Sequence, residues 1–187
     1  MPDALIIVDY QNDFARPDGA LSVPAGEEVA DHINALARSG DYELVLATRD
    51  WHPPEHGSFT EQGGIWPVHC VQGTAGAELH PALDTEPLDA IVDKGQDPGT
   101  EGYSAFDATS LTETLRARGV DAVTVVGLAT DYCVKNTVID ALAEGFEVLV
   151  LDDAIRPVEV EPGDGDRAEA AMGDAGARFT TVDDILG

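Results

Sequence analysis

Six short, apolar, β-rich runs constrain this chain more than anything else in it: ALIIV at 4–8, ELVLAT at 43–48, AIVD at 90–93, AVTVVGL at 122–128, EVLVL at 147–151 and ARFTTV at 177–182. Each is nearly continuous rather than alternating, as strands buried on both faces are. Helix-like stretches separate most of them. Glu27–Arg38 places Val29, Ile33, Leu36 and Ala37 on one face, and Ser110–Arg118 carries Leu111 and Leu115 at an i,i+4 spacing. Cys133–Glu144 carries a stripe of Val134, Val138, Ala141 and Leu142, with Thr130 as a candidate cap, and Asp166–Ala175 is short and Ala-rich. Strands alternating with helices predict an α/β fold with a mainly parallel sheet covered on both faces. A length of 187 residues fits one domain, and no repeat or linker divides residues 1–187.

The long irregular stretches, 9–26, 49–77 and 94–109, each follow a strand directly. Ligands of open α/β sheets bind beyond the carboxyl ends of the strands, so a site belongs there. Asp9 follows the first strand, Asp50 and His52 the second, Lys94 the third, and Cys133 lies just past the fourth. In a parallel sheet all five project from one edge. This coincidence is the strongest functional signal read from the residues themselves.

A cysteine in the first turn of a helix faces the positive end of the helix dipole, which predicts a lowered thiol pKa at Cys133. A cysteine nucleophile needs a base. Of the five histidines, His32 reads as a surface helix residue and His80 as structural; His52, His56 and His69 cluster in the 50–69 segment, away from Cys133. Asp9 and Lys94 are better placed. A buried carboxyl whose pKa rises can serve as base, and a lysine can hold the resulting charges. Taken singly, Asp9 can be a strand-end turn residue and Lys94 a solvated one; with Cys133 at the same edge, a triad is the better reading.

DWHPPEH at 50–56 and WPVHC at 66–70 form a second constellation. Asp50 and His52 are two residues apart in an extended segment, and His69 can close a two-histidine, one-carboxylate set that leaves metal positions open. His56 is a candidate fourth ligand, direct or through water. Cys70 has no C-x-x-C partner that would suggest a zinc–sulfur site, and two cysteines in a chain read as cytoplasmic suggest free thiols. Phe14, Trp51, Phe59, Trp66, Tyr103 and Phe106 cluster in the same loops and suggest a pocket for a flat ring, with Trp51, Phe59 and Phe106 more simply read as plugs against the sheet.

Charge excludes whole classes of partner. There are 36 acidic residues against 10 basic ones, a net charge of -26, spread along the chain. Nucleic acid and anionic membranes are poor partners for such a surface. Only Lys94 and Lys135 are lysines. Self-repulsion of this size is relieved by salt, so a halophilic source is expected. No apolar run approaches the ~20 residues needed to cross a bilayer, and the opening residues lack the pattern of a leader, so a cytoplasmic location is expected. No glycine-rich phosphate loop follows a strand, which disfavours a nucleotide-binding oxidoreductase.

Taken in order, IIVDYQNDF at 6–14, TRDWHP at 48–53, HGSF at 56–59, WPVHCVQGTAGAELHP at 66–81, DKG at 93–95, YSAF at 103–106 and GLATDYCVKNT at 127–137 resemble the nicotinamidase branch of the isochorismatase-like cysteine hydrolases. The pieces span most of the chain. The resemblance implies a single-domain, three-layer αβα fold with a six-stranded, mainly parallel, Rossmann-like sheet. It implies Asp9, Lys94 and Cys133 as the catalytic triad and Asp50, His52 and His69 as ligands of one divalent metal ion, zinc first, iron or manganese otherwise. His56 aligns with a further ligand of some members, and Ser58 with a residue that others place near the metal through water. Phe14, Trp66 and Tyr103 look like the ring pocket. Ala129 resembles the oxyanion-hole residue, acting with Cys133, and that hole comes with a cis peptide, here Leu128–Ala129. The activity implied is hydrolysis of nicotinamide to nicotinate and ammonia through a cysteine thioester, in NAD salvage, with pyrazinamide as a second substrate. Another small-amide hydrolase of the family and a non-catalytic metal- or ligand-binding domain are the competing readings. Monomer and homo-oligomer are left open.

Overall fold

The computed structural model describes residues 3–187. Six parallel strands form one sheet in the order β3-β2-β1-β4-β5-β6: β1 Asp3–Val8, β2 Leu44–Asp50, β3 Ala90–Lys94, β4 Ala122–Leu128, β5 Glu147–Arg156 and β6 Arg178–Thr180. The expected α/β fold is the one observed. All six expected strands are present, and every pairing is parallel. β5 runs five residues beyond its apolar core, through DDAIR, because Ala154 and Ile155 continue the buried face after two polar residues.

The central strand shows why these runs are continuous. Every residue from Ala4 to Val8 is fully buried. Leu5 and Ile7 face one apolar layer, with Val29, Ile33 and Leu36; Ala4, Ile6 and Val8 face the other, with Leu111, Leu115, Val138 and Met172. The first layer is covered by α1 (Asn12–Ala15), α2 (Ala30–Arg38) and, at the far end of the chain, α6 (Val182–Leu186), with α3 (Leu111–Ala117), α4 (Lys135–Ala143) and α5 (Asp164–Ala175) on the second. Two of these helices, α1 and α6, are too short for a periodic pattern to announce. Among the described residues, no helix is long and apolar enough to cross a membrane.

The strand order reverses between β1 and β4, so their carboxyl ends flank a crevice where the chain departs in opposite directions. Asp9 leaves β1 on one side of it, and the turn holding Cys133 leaves β4 on the other. Gly127, next to last in β4, has φ +113° and pairs with Val8, beside a register shift between Val125 and Gly127. A Cβ at Gly127 would stand 2.7 Å from the Val8 nitrogen. The close approach of β1 and β4 at the crevice therefore requires glycine.

Gly127→Ala should lower stability by more than about 2 kcal/mol, through unfavourable backbone geometry added to a backbone clash. Urea titration of the two proteins measures this; a loss below about 0.5 kcal/mol, the scale of an ordinary surface change, would contradict it.

Candidate active site

Asp9 directly follows β1 with φ +47°, a left-handed conformation that aspartate tolerates better than most residues. Its backbone N–H donates to Thr48 Oγ1 at 3.1 Å, and the Thr48 hydroxyl donates to Asp9 Oδ1 at 2.7 Å. Lys94 ends β3, paired in register with Asp50 of β2. Asp9 lies two strands from Lys94, roughly 9.6 Å at ordinary sheet spacing. Only a long side chain spans that gap. The Lys94 ammonium donates to Asp50 Oδ1 at 2.6 Å and to the Gly102 carbonyl at 2.9 Å, and lies 2.8 Å from Asp9 Oδ2. Cys133 Sγ is 3.5 Å from the same nitrogen. All four side chains are buried.

One ammonium between two carboxylates leaves them electrostatically unequal. Burial pushes the Asp9 carboxyl above its ordinary pKa, and Lys94 offsets this only in part, while Asp50 adds to it. Burial acts on Asp50 as well, but Lys94 and His52 outweigh it and hold Asp50 well below the carboxylate range. Lys94 is disfavoured by burial, yet the two carboxylates raise its pKa well above the ordinary value, so it stays charged. Opposed shifts of this kind separate a group able to exchange a proton from one that holds its charge. Asp9 Oδ2 also has no aligned hydrogen-bond donor, and a carboxylate oxygen of Asp9 lies within 4.8 Å of Cys133 Sγ.

The environment of Cys133 corrects two expectations. The segment Thr130–Val134 forms one wide π-type turn, and the regular helix α4 starts only at Lys135. Thr130 does not cap it: its hydroxyl is buried with no hydrogen-bond partner. The thiol pKa is not lowered either. Burial drives it well above the ordinary value, Lys94 offsets this in part, and Asp9 and Asp50 add to the rise. Desolvation outweighs the helix terminus. The sulfur rests as a thiol and needs a base.

Asp50, His52 and His69 converge beside this group, their candidate ligand atoms all within 4.8 Å of one another. His52 Nε2 is 3.4 Å and His69 Nε2 3.8 Å from Asp50 Oδ2. Ligands about 2.1 Å from one ion lie roughly 3.0–3.4 Å apart, so the spacing needs little adjustment. The two Nδ1 atoms face the carbonyls of Gly95 and Pro67, both at 2.7 Å. A carbonyl only accepts, so each Nδ1 carries a hydrogen, and each Nε2 is the atom that can offer a lone pair to a cation in place of a proton. Lone pairs aimed at a carboxylate oxygen fit a cation. Burial opposes a charge on His52, but Asp50 outweighs it and raises the pKa, so the spot favours positive charge; burial lowers that of His69. The residues present therefore suit a divalent metal. Gly95 has φ +66°, and a Cβ there would press on the His52 ring.

His56 and Ser58 turn to each other instead. His56 Nδ1 is 2.7 Å from Ser58 Oγ, its Nε2 is 3.1 Å from the Asp97 carbonyl, and its ring stacks on His52 at 3.9 Å. Both nitrogens are engaged, and the ring buttresses His52. Phe59 packs edge-on against His52, His56 and His69, Trp51 lies against Arg49, and Phe106 stacks on Phe146, as expected of loop plugs.

Phe14, Trp66 and Tyr103 line a cavity together with Cys133, Asp50 and His69; Ala129, Leu21, Tyr132 and Val158 complete it. The free space between these residues, open solvent at the mouth included, is about 310 Å³. Trp66 Nε1 donates to the Tyr103 hydroxyl at 2.9 Å, and Tyr132 meets Trp66 edge-on at 4.8 Å. Ala129 follows a cis peptide from Leu128, where the resemblance placed one. Four residues escaped the reading of the sequence. Thr48 orients Asp9, and its buried hydroxyl inside an otherwise apolar strand was the available signal. Gln11 clamps Asp50, accepting from its N–H and donating to its carbonyl at 2.8 Å each. Tyr132 adjoins Cys133 in the same motif. Asp131 carried no signal beyond its place in that motif.

The isochorismatase domain model matches residues 3–184. The nicotinamidase of Escherichia coli (strain K12) is 42% identical over 206 aligned positions, covering 98% of this chain and 96% of that protein. A protein of L. infantum, crystallised in complex with nicotinate, superposes with a TM-score of 0.93 at 40% identity, covering 97% of this chain and 93% of that one. The pyrazinamidase of Pyrococcus horikoshii in complex with zinc has a TM-score of 0.89 at 43% identity, covering 97% and 99%.

The charge balance around Lys94 is directly testable. Lys94→Met should cost about 3–5 kcal/mol, because two buried carboxylates lose their cation. Asp9→Asn should cost much less, since Lys94 keeps Asp50. Equal losses in denaturant titrations of the two variants would refute this division of roles.

Proposed function

Since the chain belongs to the isochorismatase domain family, we propose that it hydrolyses nicotinamide to nicotinate and ammonia with Cys133 as nucleophile. One observation carries this reading. One aromatic-lined cavity brings together Cys133 and two members, Asp50 and His69, of a possible metal-ligand set, which suits a flat ring bearing both a nitrogen and a carboxamide. The relatives named nicotinamidase and pyrazinamidase support it, as does the nicotinate bound to the L. infantum protein.

The residues divide the work as follows. Phe14, Trp66 and Tyr103 hold the ring and exclude water. Asp50, His52 and His69 bind the metal, for which zinc is the first choice. A metal held there would supply Lewis-acid chemistry towards a ring nitrogen. Asp9 Oδ2, raised in pKa and lacking an aligned donor, takes the thiol proton as sulfur bonds to the carboxamide carbon. The backbone N–H groups of Ala129 and Cys133 receive the developing oxyanion; one such donor is typically worth about 3 kcal/mol. Asp9 passes the proton to the amide nitrogen, the C–N bond breaks and ammonia leaves a thioester. A water gives a proton to Asp9 as its oxygen attacks that carbon. The C–S bond breaks, and the proton returns to sulfur. Lys94 keeps its charge throughout and stabilises each anionic partner in turn. His56, with Ser58, acts by holding the His52 ring.

This division of labour separates two kinds of variant. Cys133→Ala should release no ammonia from nicotinamide yet keep the metal content of the parent, read by elemental analysis. His69→Ala should lose metal together with activity. Ammonia release by Cys133→Ala would end the nucleophile assignment, and full metal in His69→Ala would end the ligand assignment. Assays at high salt, with nicotinamide and with pyrazinamide, test the expected medium and the second substrate: activity that falls as salt is added would contradict a halophilic surface.

A further inference from the structure

Asp131 stands between Ala129 and Cys133 in the nucleophile's turn, yet its carboxylate serves neither. It is buried, and its oxygens accept from the backbone N–H groups of Val158 at 2.9 Å and Glu159 at 3.0 Å. Two successive N–H groups converging on one carboxylate form the kind of backbone concavity that holds anions. Glu159 itself has φ +58°, outside the usual range for a non-glycine residue. Its side chain extends the chain of contacts, accepting from Gly163 N–H at 2.7 Å and Gly165 N–H at 2.8 Å, at the start of α5. Two carboxylates in series thus tie the nucleophile's turn to the segment 157–163 and that segment to a helix. Between them sits Val158, whose side chain lines the substrate cavity and packs against the core.

We propose that Asp131 is a positioning residue that sets which ring amides fit: it clamps the segment 157–163 onto the nucleophile's turn, so that Val158 forms a fixed wall of the ring pocket. The proposal rests on reading that cavity as a nicotinamide site. The turn that presents the sulfur and the wall that limits the substrate are thereby one mechanical unit. An aspartate suits the task because both its oxygens only accept. Asparagine in the same space keeps one bond and turns an N–H donor towards the other.

The test compares nicotinamide with 5-methylnicotinamide, which adds one methyl group to the ring, in the parent, Asp131→Asn and Val158→Ala. One methyl group in a well-formed pocket discriminates by about tenfold or more. Both variants should raise the ratio of kcat/KM for the methylated amide over that for nicotinamide by about fivefold or more, a part of that discrimination. In Asp131→Asn the loss on nicotinamide should fall on KM rather than kcat. Amide hydrogen exchange at Val158 and Glu159 should quicken in Asp131→Asn and stay as in the parent in Val158→Ala. An unchanged selectivity ratio in Asp131→Asn, a fall in kcat at constant KM, or unchanged exchange would each overturn the proposal. If Asp131→Asn does not fold, Val158→Ala and Val158→Leu carry the size test, with opposite changes in selectivity expected and unchanged selectivity refuting the wall. A parent that releases ammonia from neither amide refutes the functional reading alone, and the exchange comparison still decides the clamp.

Discussion

The buried ammonium of Lys94 is the interaction on which the rest of the site depends. It reaches from an edge strand across β2 to the carboxylate that follows β1, and it touches Asp50, Asp9, Gly102 and the neighbourhood of Cys133. Without it two carboxylates would share a water-free space, and one would have to take up a proton. With it, one carboxylate is strongly held as an anion while the pKa of the other stays raised by burial. The inequality comes from position alone. Asp50 has His52 and His69 beside it as well as Lys94, whereas Asp9 has Lys94 as its one cation and the charge of Asp50 against it.

That arrangement also accounts for a Cys133 thiol that is not ionised at rest. A thiol at a helix start is ordinarily expected to lose its proton easily. Here the turn is wide, the sulfur is dry, and two negative groups stand nearby. A neutral thiol beside a base of raised pKa suits transfer during attack, since proton and sulfur then move with the substrate in place. A cysteine held as free thiolate would be exposed to oxidation whenever the pocket was empty.

Much of this was legible in the sequence because the fold writes its strands plainly. A parallel sheet buried on both faces demands unbroken apolar runs, and residues that follow such runs share one edge. Asp9, Asp50, His52, Lys94 and Cys133 could be gathered on that ground alone. Their roles could not, and came instead from the resemblance of whole motifs. What stayed hidden depends on side-chain direction. Nothing in the spacing shows that His56 turns to Ser58, that Gln11 imitates a neighbouring strand against Asp50, or that Asp131 faces Val158. The expected cap at Thr130 and the expected low thiol pKa failed for one reason: both assume a solvated, regular helix start, and this one is a buried π-type turn.

Asp50 gives one oxygen to Lys94 and turns the other towards His52 and His69. This split has an evolutionary corollary. The two histidines face Asp50 and not Lys94, so a lineage without a metal there can replace them while the ammonium keeps both its carboxylates. Asp50 enjoys no such freedom, because its removal unsettles the lysine as well. Divergence from an arrangement like this one should therefore be lopsided, with histidines drifting while an acidic or equivalent hydrogen-bonding residue persists at the end of β2.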